Sequence, residues 1–225
     1  PAVQAARLAT REIPIVMAPS GDPLRTGQVA SLSKPGGNVT GLSAATAELA
    51  GKSLELIREL LPSATLIAAL ADPRNPFTTP FLEQIDIAAR TLGITAQRIM
   101  ISGDQDYEPA FDEMASKRVH AVVIQPTLSR DRIMPLVLKH RLPAVSGNRA
   151  FADAGGLLSY AASLADRYRE AGRYVDRILK GGLPGELPVQ QPSRFELIVN
   201  MRSAKALGIE IPRTILLRAD EVLGE

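Results

Sequence analysis

Leu66-Ile-Ala-Ala-Leu-Ala71, followed by Asp72-Pro-Arg-Asn75 and a helix-patterned segment to Leu92, decides how this chain folds. Six apolar residues without polar alternation read as a strand covered on both faces. The same unit then repeats downstream. Ile94–Ile101 reads as a strand and Tyr107–Arg118 as a helix, Ala121–Gln125 as a strand and Ser129–His140 as a helix, and Pro143–Ser146 as a fourth strand. Such alternation predicts a parallel, doubly wound sheet with right-handed crossovers. Upstream, Leu49, Leu54, Ile57, Leu60 and Leu61 fall near a helical period that Pro62 ends. Residues 46–160 are therefore expected to form one complete α/β lobe.

Outside that lobe the pattern is shorter. Pro1 to Ala9 reads as a helix, Ile13–Ala18 as a strand, Ser20–Pro23 as a loop, and the stretch to about Leu32 as a short helix. Lys34-Pro-Gly-Gly-Asn38 marks a turn before the strand Val39–Ser43. Beyond the Gly155-Gly156 turn come the short strand Leu157–Tyr160 and a long helix, Ala162–Leu179, capped by Lys180-Gly-Gly182. Its apolar stripe reads as Tyr168, Ala171, Val175, Ile178 and Leu179, with Arg167, Glu170, Arg173 and Asp176 largely elsewhere. Phe195–Asn200 reads as a strand, Ser203–Leu207 as a short helix, and the tail through Val222 as apolar with a polar end.

Composition narrows the function classes. The chain has no Cys and no Trp, so disulfides, thiolate catalysis and Cys-ligated metal are excluded. A net charge of +2, with no block of Lys or Arg, gives no nucleic-acid footprint. No apolar run approaches a membrane span. His120 and His140 stand in unlike settings without a paired carboxylate pattern, and Asp104 and Asp106 form a loop pair without a partner at metal spacing. No phosphate-binding glycine loop and no G-x-S-x-G nucleophile elbow occurs. Neither a metal nor a cofactor nor catalysis is expected. The chain opens at Pro1 in what reads as the middle of a βα unit, which suggests a processed or shortened chain.

In an open parallel sheet, ligands sit beyond the carboxyl ends of the strands. That rule selects Ser20 and Asp22 after the first strand, Asn75 after Ala71, Thr127 after Gln125, Arg149 after Ser146, and Tyr160 at the end of the strand after Gly156. Together they offer hydroxyl, amide and guanidinium groups suited to a carboxylate or an amino acid. Each also has a structural reading. Asp22 before Pro23 suits a turn, Asn75 and Thr127 suit caps, Arg149 suits a surface ion pair, and Tyr160 suits plain core.

Several stretches, taken in order, resemble one known family. They are Ile13-Pro-Ile-Val, Gly21-Asp-Pro23, Lys34-Pro-Gly-Gly-Asn-Val-Thr-Gly-Leu-Ser43, Ala154-Gly-Gly-Leu-Leu-Ser-Tyr160, Tyr168-Arg-Glu-Ala-Gly-Arg-Tyr-Val-Asp-Arg-Ile-Leu-Lys-Gly181, Leu187-Pro-Val-Gln-Gln-Pro192, Phe195-Glu-Leu-Ile-Val-Asn200 and Arg218-Ala-Asp-Glu-Val222. The succession is similar to the ABC-transporter substrate-binding family that includes the tryptophan/tyrosine-type binding proteins. The resemblance implies a periplasmic-binding-protein-like fold of type I, with two Rossmann-like lobes, parallel sheets and a hinge of crossing strands. It also implies an extracytoplasmic location, a small carboxylate-bearing ligand of aromatic or amino-acid type, and an ABC permease as membrane partner. Ala161 stands where the family usually has Gly. Pro1 falls inside the family pattern, so the first lobe is expected to be N-terminally truncated, keeping residues 1–45 and part of 161–225. A homodimer through the face so exposed, or a longer parent protein, would follow. The alternative class is a ligand-sensing domain of a signalling or regulatory protein with the same fold.

Overall fold

The computed structural model describes residues 2–44 and 46–224. The chain divides into two compact units, one made of Pro1–Thr46 and Ala162–Phe195, the other of Ala47–Ala161 and Glu196–Glu225. In chain order the elements are α1 (Ala2–Ala9), β1 (Ile15–Ser20), β2 (Val39–Ser43), α2 (Thr46–Leu60), β3 (Leu66–Ala71), α3 (Thr78–Leu92), β4 (Thr95–Met100), α4 (Tyr107–Ser116), β5 (Ala121–Ile124), α5 (Arg130–Lys139), β6 (Ala144–Ser146), α6 (Arg149–Asp153), β7 (Leu158–Ala162), α7 (Leu164–Leu179), β8 (Phe195–Asn200), α8 (Met201–Leu207), α9 (Arg213–Leu216) and β9 (Glu221–Leu223). No helix among the described residues is long and apolar enough to cross a membrane.

The larger unit is built on a seven-stranded sheet in the order β4-β3-β5-β6-β7-β8-β9. β3 pairs in parallel with both β4 and β5, and the parallel pairing continues through β6 to β7. The unbroken apolar character of Leu66–Ala71 has a direct cause. Ile67, Ala69 and Ala71 face one buried cluster with Leu54, Ile57, Phe81 and Ile85 of α2 and α3. Ala68 and Leu70 face the other, with Phe111 and Met114 of α4 and Ile133 and Val137 of α5. Helices thus cover both faces, as a parallel sheet requires.

Three features of this unit differ from the sequence reading. The sheet of this unit also takes β8 and β9 from beyond Tyr160, and α6, α9 and β9 carry too few residues to show a period. The helix expected from Asn75 starts at Thr78, because Asn75 and Pro76 form the turn that leads into it.

In the smaller unit β1 and β2 pair in parallel, from Ile15 opposite Val39 to Met17 opposite Gly41, and the register then shifts to pair Ser20 with Ser43. The short helix expected before Leu32 is instead a series of turns. Gly27 lies at φ 66°, in the left-handed region, and a right-handed helix cannot pass through that residue. The buried face of α7 also differs from the apolar stripe read in the sequence. Arg167, Ala171 and Tyr174 point inward, while Tyr168, Val175 and Leu179 are exposed. Tyr174 and Ala171 pack on Leu42, and the Tyr174 hydroxyl donates to the Pro188 carbonyl.

Candidate functional site

At the carboxyl ends of β3 and β5 the chain builds a small polar network. Asn75 is buried, and its amide nitrogen donates to the Thr127 hydroxyl at 2.7 Å. Its Oδ1 accepts the N–H of Phe77 at 3.0 Å, which turns the chain into α3. The two residues thus stand together, but neither is a helix N-cap: α3 has Phe77 in that position and α5 has Ser129, and Asn75 instead forms the turn before α3. Beneath them lies Gln125, fully buried, which was read only as the last residue of its strand. Its Oε1 accepts the N–H of Asp72 at 2.8 Å and its Nε2 donates to the Thr78 hydroxyl at 2.8 Å. The Thr78 hydroxyl in turn donates to the Asp72 carbonyl. A glutamine is well suited here because one side chain must both accept and donate. An amide at the end of an apolar run was the signal available in the sequence.

The neighbouring loops follow the same logic. Asn148 caps α6 by accepting from the Ala150 N–H at 3.0 Å, and its amide reaches the Pro126 carbonyl at 3.2 Å. Arg149 is engaged by a carboxylate of this chain. Its guanidinium makes two bonds to Glu221, at 2.6 and 2.8 Å, and lies 3.4 Å from Asp153. That pairing holds the Glu221 carboxyl below its ordinary range. The ion-pair reading of Arg149 thus describes its position. Sequence could not show this, because Glu221 is 72 residues away. Tyr160 is half-buried on β7, packed against the cluster that covers β3. Next to it Ser159 is fully buried, and its hydroxyl has no hydrogen-bond partner.

Ser20 and Asp22 belong to the smaller unit. Ser20 is buried and donates to Gln28 Oε1 at 2.6 Å. Asp22 Oδ1 accepts the Arg25 N–H at 3.0 Å, which is the turn-forming role.

Asp72 sits at the mouth of the network. Its carboxylate accepts from Arg74 Nε at 2.9 Å and Nη2 at 2.8 Å. The Arg74 side-chain hydrogen bonds hold the Asp72 carboxyl below its ordinary range, against a smaller opposing effect of burial. A depressed folded-state pKa stabilises the fold fully above the unfolded value of about 3.9, and that stability is lost as pH falls through the folded pKa. Asp72→Asn is therefore expected to flatten the acid limb of the stability–pH curve below about pH 4. Urea midpoints measured from pH 7 to 3 check this. Parallel curves for the variant and the parent would show that the Asp72–Arg74 pair contributes nothing.

One surface trio corrects the reading of His140. Glu108 and Asp112, one turn apart on α4, bring their carboxylate oxygens within 4.8 Å of each other and of a His140 ring nitrogen. His140 Nε2 lies 3.8 Å from Asp112, and Glu108 is paired with Lys139 at 3.0 Å. A carboxylate setting for His140 thus exists, made by the packing of α4 on α5.

These strand-end loops lie on a chain whose residues 1–223 match the family model described as ABC transporter substrate binding protein. The chain belongs to this family. Its architecture is periplasmic-binding-protein-like of type I. The tyrosine-binding protein of Clostridioides difficile (strain R20291) is 27% identical over 214 residues, covering 93% of this chain and 61% of that protein. The chain thus spans about three-fifths of the length of that curated relative. The crystal structure of an ABC domain in complex with L-Trp from Streptococcus pneumonia is 28% identical, with a TM-score of 0.90 over 99% of this chain and 77% of that one. A conserved domain protein from Vibrio cholerae is 27% identical, with a TM-score of 0.88 over 98% of this chain and 75% of that one. The first of these relatives is described as a tyrosine-binding protein, and the Streptococcus domain holds L-Trp.

Proposed function

We propose that this family member is the solute-binding component of an ABC importer, that it works outside the cytoplasm, and that it binds an aromatic amino acid without transforming it. The observation that carries this reading is the L-Trp bound to a relative of the same architecture at 28% identity. A tyrosine-binding relative at 27% identity supports the same ligand class. An amino acid presents a carboxylate, an ammonium and an apolar side chain. In the larger unit Asn75 and Thr127 supply an amide and a hydroxyl for such a ligand, and Tyr160 supplies a ring. Arg149 would bind a ligand carboxylate only by releasing Glu221, so it ranks below the others.

Thermal unfolding with L-Trp and L-Tyr tests the reading. A ligand at about 100 times its dissociation constant stabilises the native state by about 2.7 kcal/mol. Asn75→Ala is expected to reduce that shift strongly, since it removes an amide from the strand-end network. Folding of the variant is verified by its circular dichroism. If neither amino acid raises the unfolding temperature of the parent chain, the aromatic reading is wrong.

A further inference from the structure

The smaller unit carries a buried cation without a counter-charge. Arg167, in the first turn of α7, is 6% exposed. Its Nη2 donates to the Ser43 carbonyl at the end of β2, while its Nε is buried with no hydrogen-bond partner. Among the described residues no carboxylate pairs with it. Burial draws the Arg167 pKa down to about 10, so the group is still charged at neutral pH. A buried, unpaired guanidinium is costly, and so is a buried N–H without an acceptor.

Arg167 lines a cavity of about 600 Å³ together with Ser163, Arg173, Gln190, Ser193 and Arg194, all from the same unit. The acids on this wall are already committed. Asp166 accepts from Arg169 at 2.5 Å, and Glu170 accepts from Arg173. Four arginines against two carboxylates leave the cavity positively charged. Hydroxyls and amides complete a donor-rich lining, and a planar guanidinium suits a carboxylate or phosphate group.

We propose that this cavity is a binding site for a small oxyanion, a carboxylate or phosphate group, anchored by Arg167. The site is independent of the amino-acid reading, because it uses none of the residues assigned to that ligand.

The test titrates the full chain with inorganic phosphate and, separately, with acetate at constant ionic strength. Unfolding temperature and the Arg167 Nε–H resonance are followed by calorimetry and NMR. A saturable response to either anion is expected, and the anion that gives it identifies the chemical source. Arg167→Met should abolish the saturable response while leaving the anion-free protein at least as stable, since a buried charge is removed. Arg167→Lys, which keeps the charge without the fork, should weaken binding by more than about tenfold. The exposed Arg194→Gln provides a second variant, and a weakened response there supports the site even if the Arg167 changes impair folding. Absence of a saturable response from the parent chain to both anions, or an unchanged response in Arg167→Met, overturns the proposal.

Discussion

Gly41→Ala is expected to destabilise the fold by about 4 kcal/mol. Gly41 lies in β2 directly opposite Met17 of β1, at φ +121°, where side-chain-bearing residues are strained. A Cβ at this position would meet the Met17 carbonyl oxygen at 2.5 Å and its nitrogen at 2.6 Å. Both are backbone atoms, so no rotamer change relieves the contact. The two strands would have to part, and Met17, Val39 and Val29 would lose their packing. Urea unfolding followed by circular dichroism gives the magnitude. A loss below about 1 kcal/mol would mean that the strands separate at little cost, and the close approach would then have no energetic weight.

Gln125→Leu is expected to cost about 3 kcal/mol. Leucine has similar volume, so the change isolates hydrogen bonding from packing. It leaves the Asp72 N–H without its acceptor and removes the donor to Thr78. Each buried polar group left unpaired costs about 1–3 kcal/mol. The effect should extend to ligand binding. The Asp72–Asn75 turn rests on Gln125 through Asp72, and Asn75 carries the Thr127 contact. Chemical denaturation gives the stability loss, and calorimetry with L-Trp gives the loss of affinity. A variant as stable as the parent would show that water replaces both bonds.

The repeating apolar runs were legible because a parallel sheet covered on both faces leaves an unambiguous trace. β3 and β5 have no internal polar break to disguise them, and their bounds fall within one residue of those read from the sequence. The stretch before Leu32 misled because its local apolar spacing suits a helix, while Gly27 prefers the left-handed region that ends one. α7 misled for another reason. Its apolar residues share one side of the helix, but Tyr168, Val175 and Leu179 in that stripe are exposed and only the edge with Ala171 and Tyr174 is buried. Packing on Leu42 selected the face with Ala171 and Tyr174 and carried Arg167 inside with them.

The sequence by itself determined the α/β alternation, the strand-end loops as the place for polar groups, and the family. Those properties are local, set by hydrophobic period and turn residues within a few positions of one another. Only the tertiary structure decided which polar groups remain available. Glu221 reaches Arg149 across 72 residues, Asn75 reaches Thr127 across 52, and Arg167 reaches Ser43 across 124. Electrostatic pairing and burial depend on distance in space, and along the chain that distance has no signature.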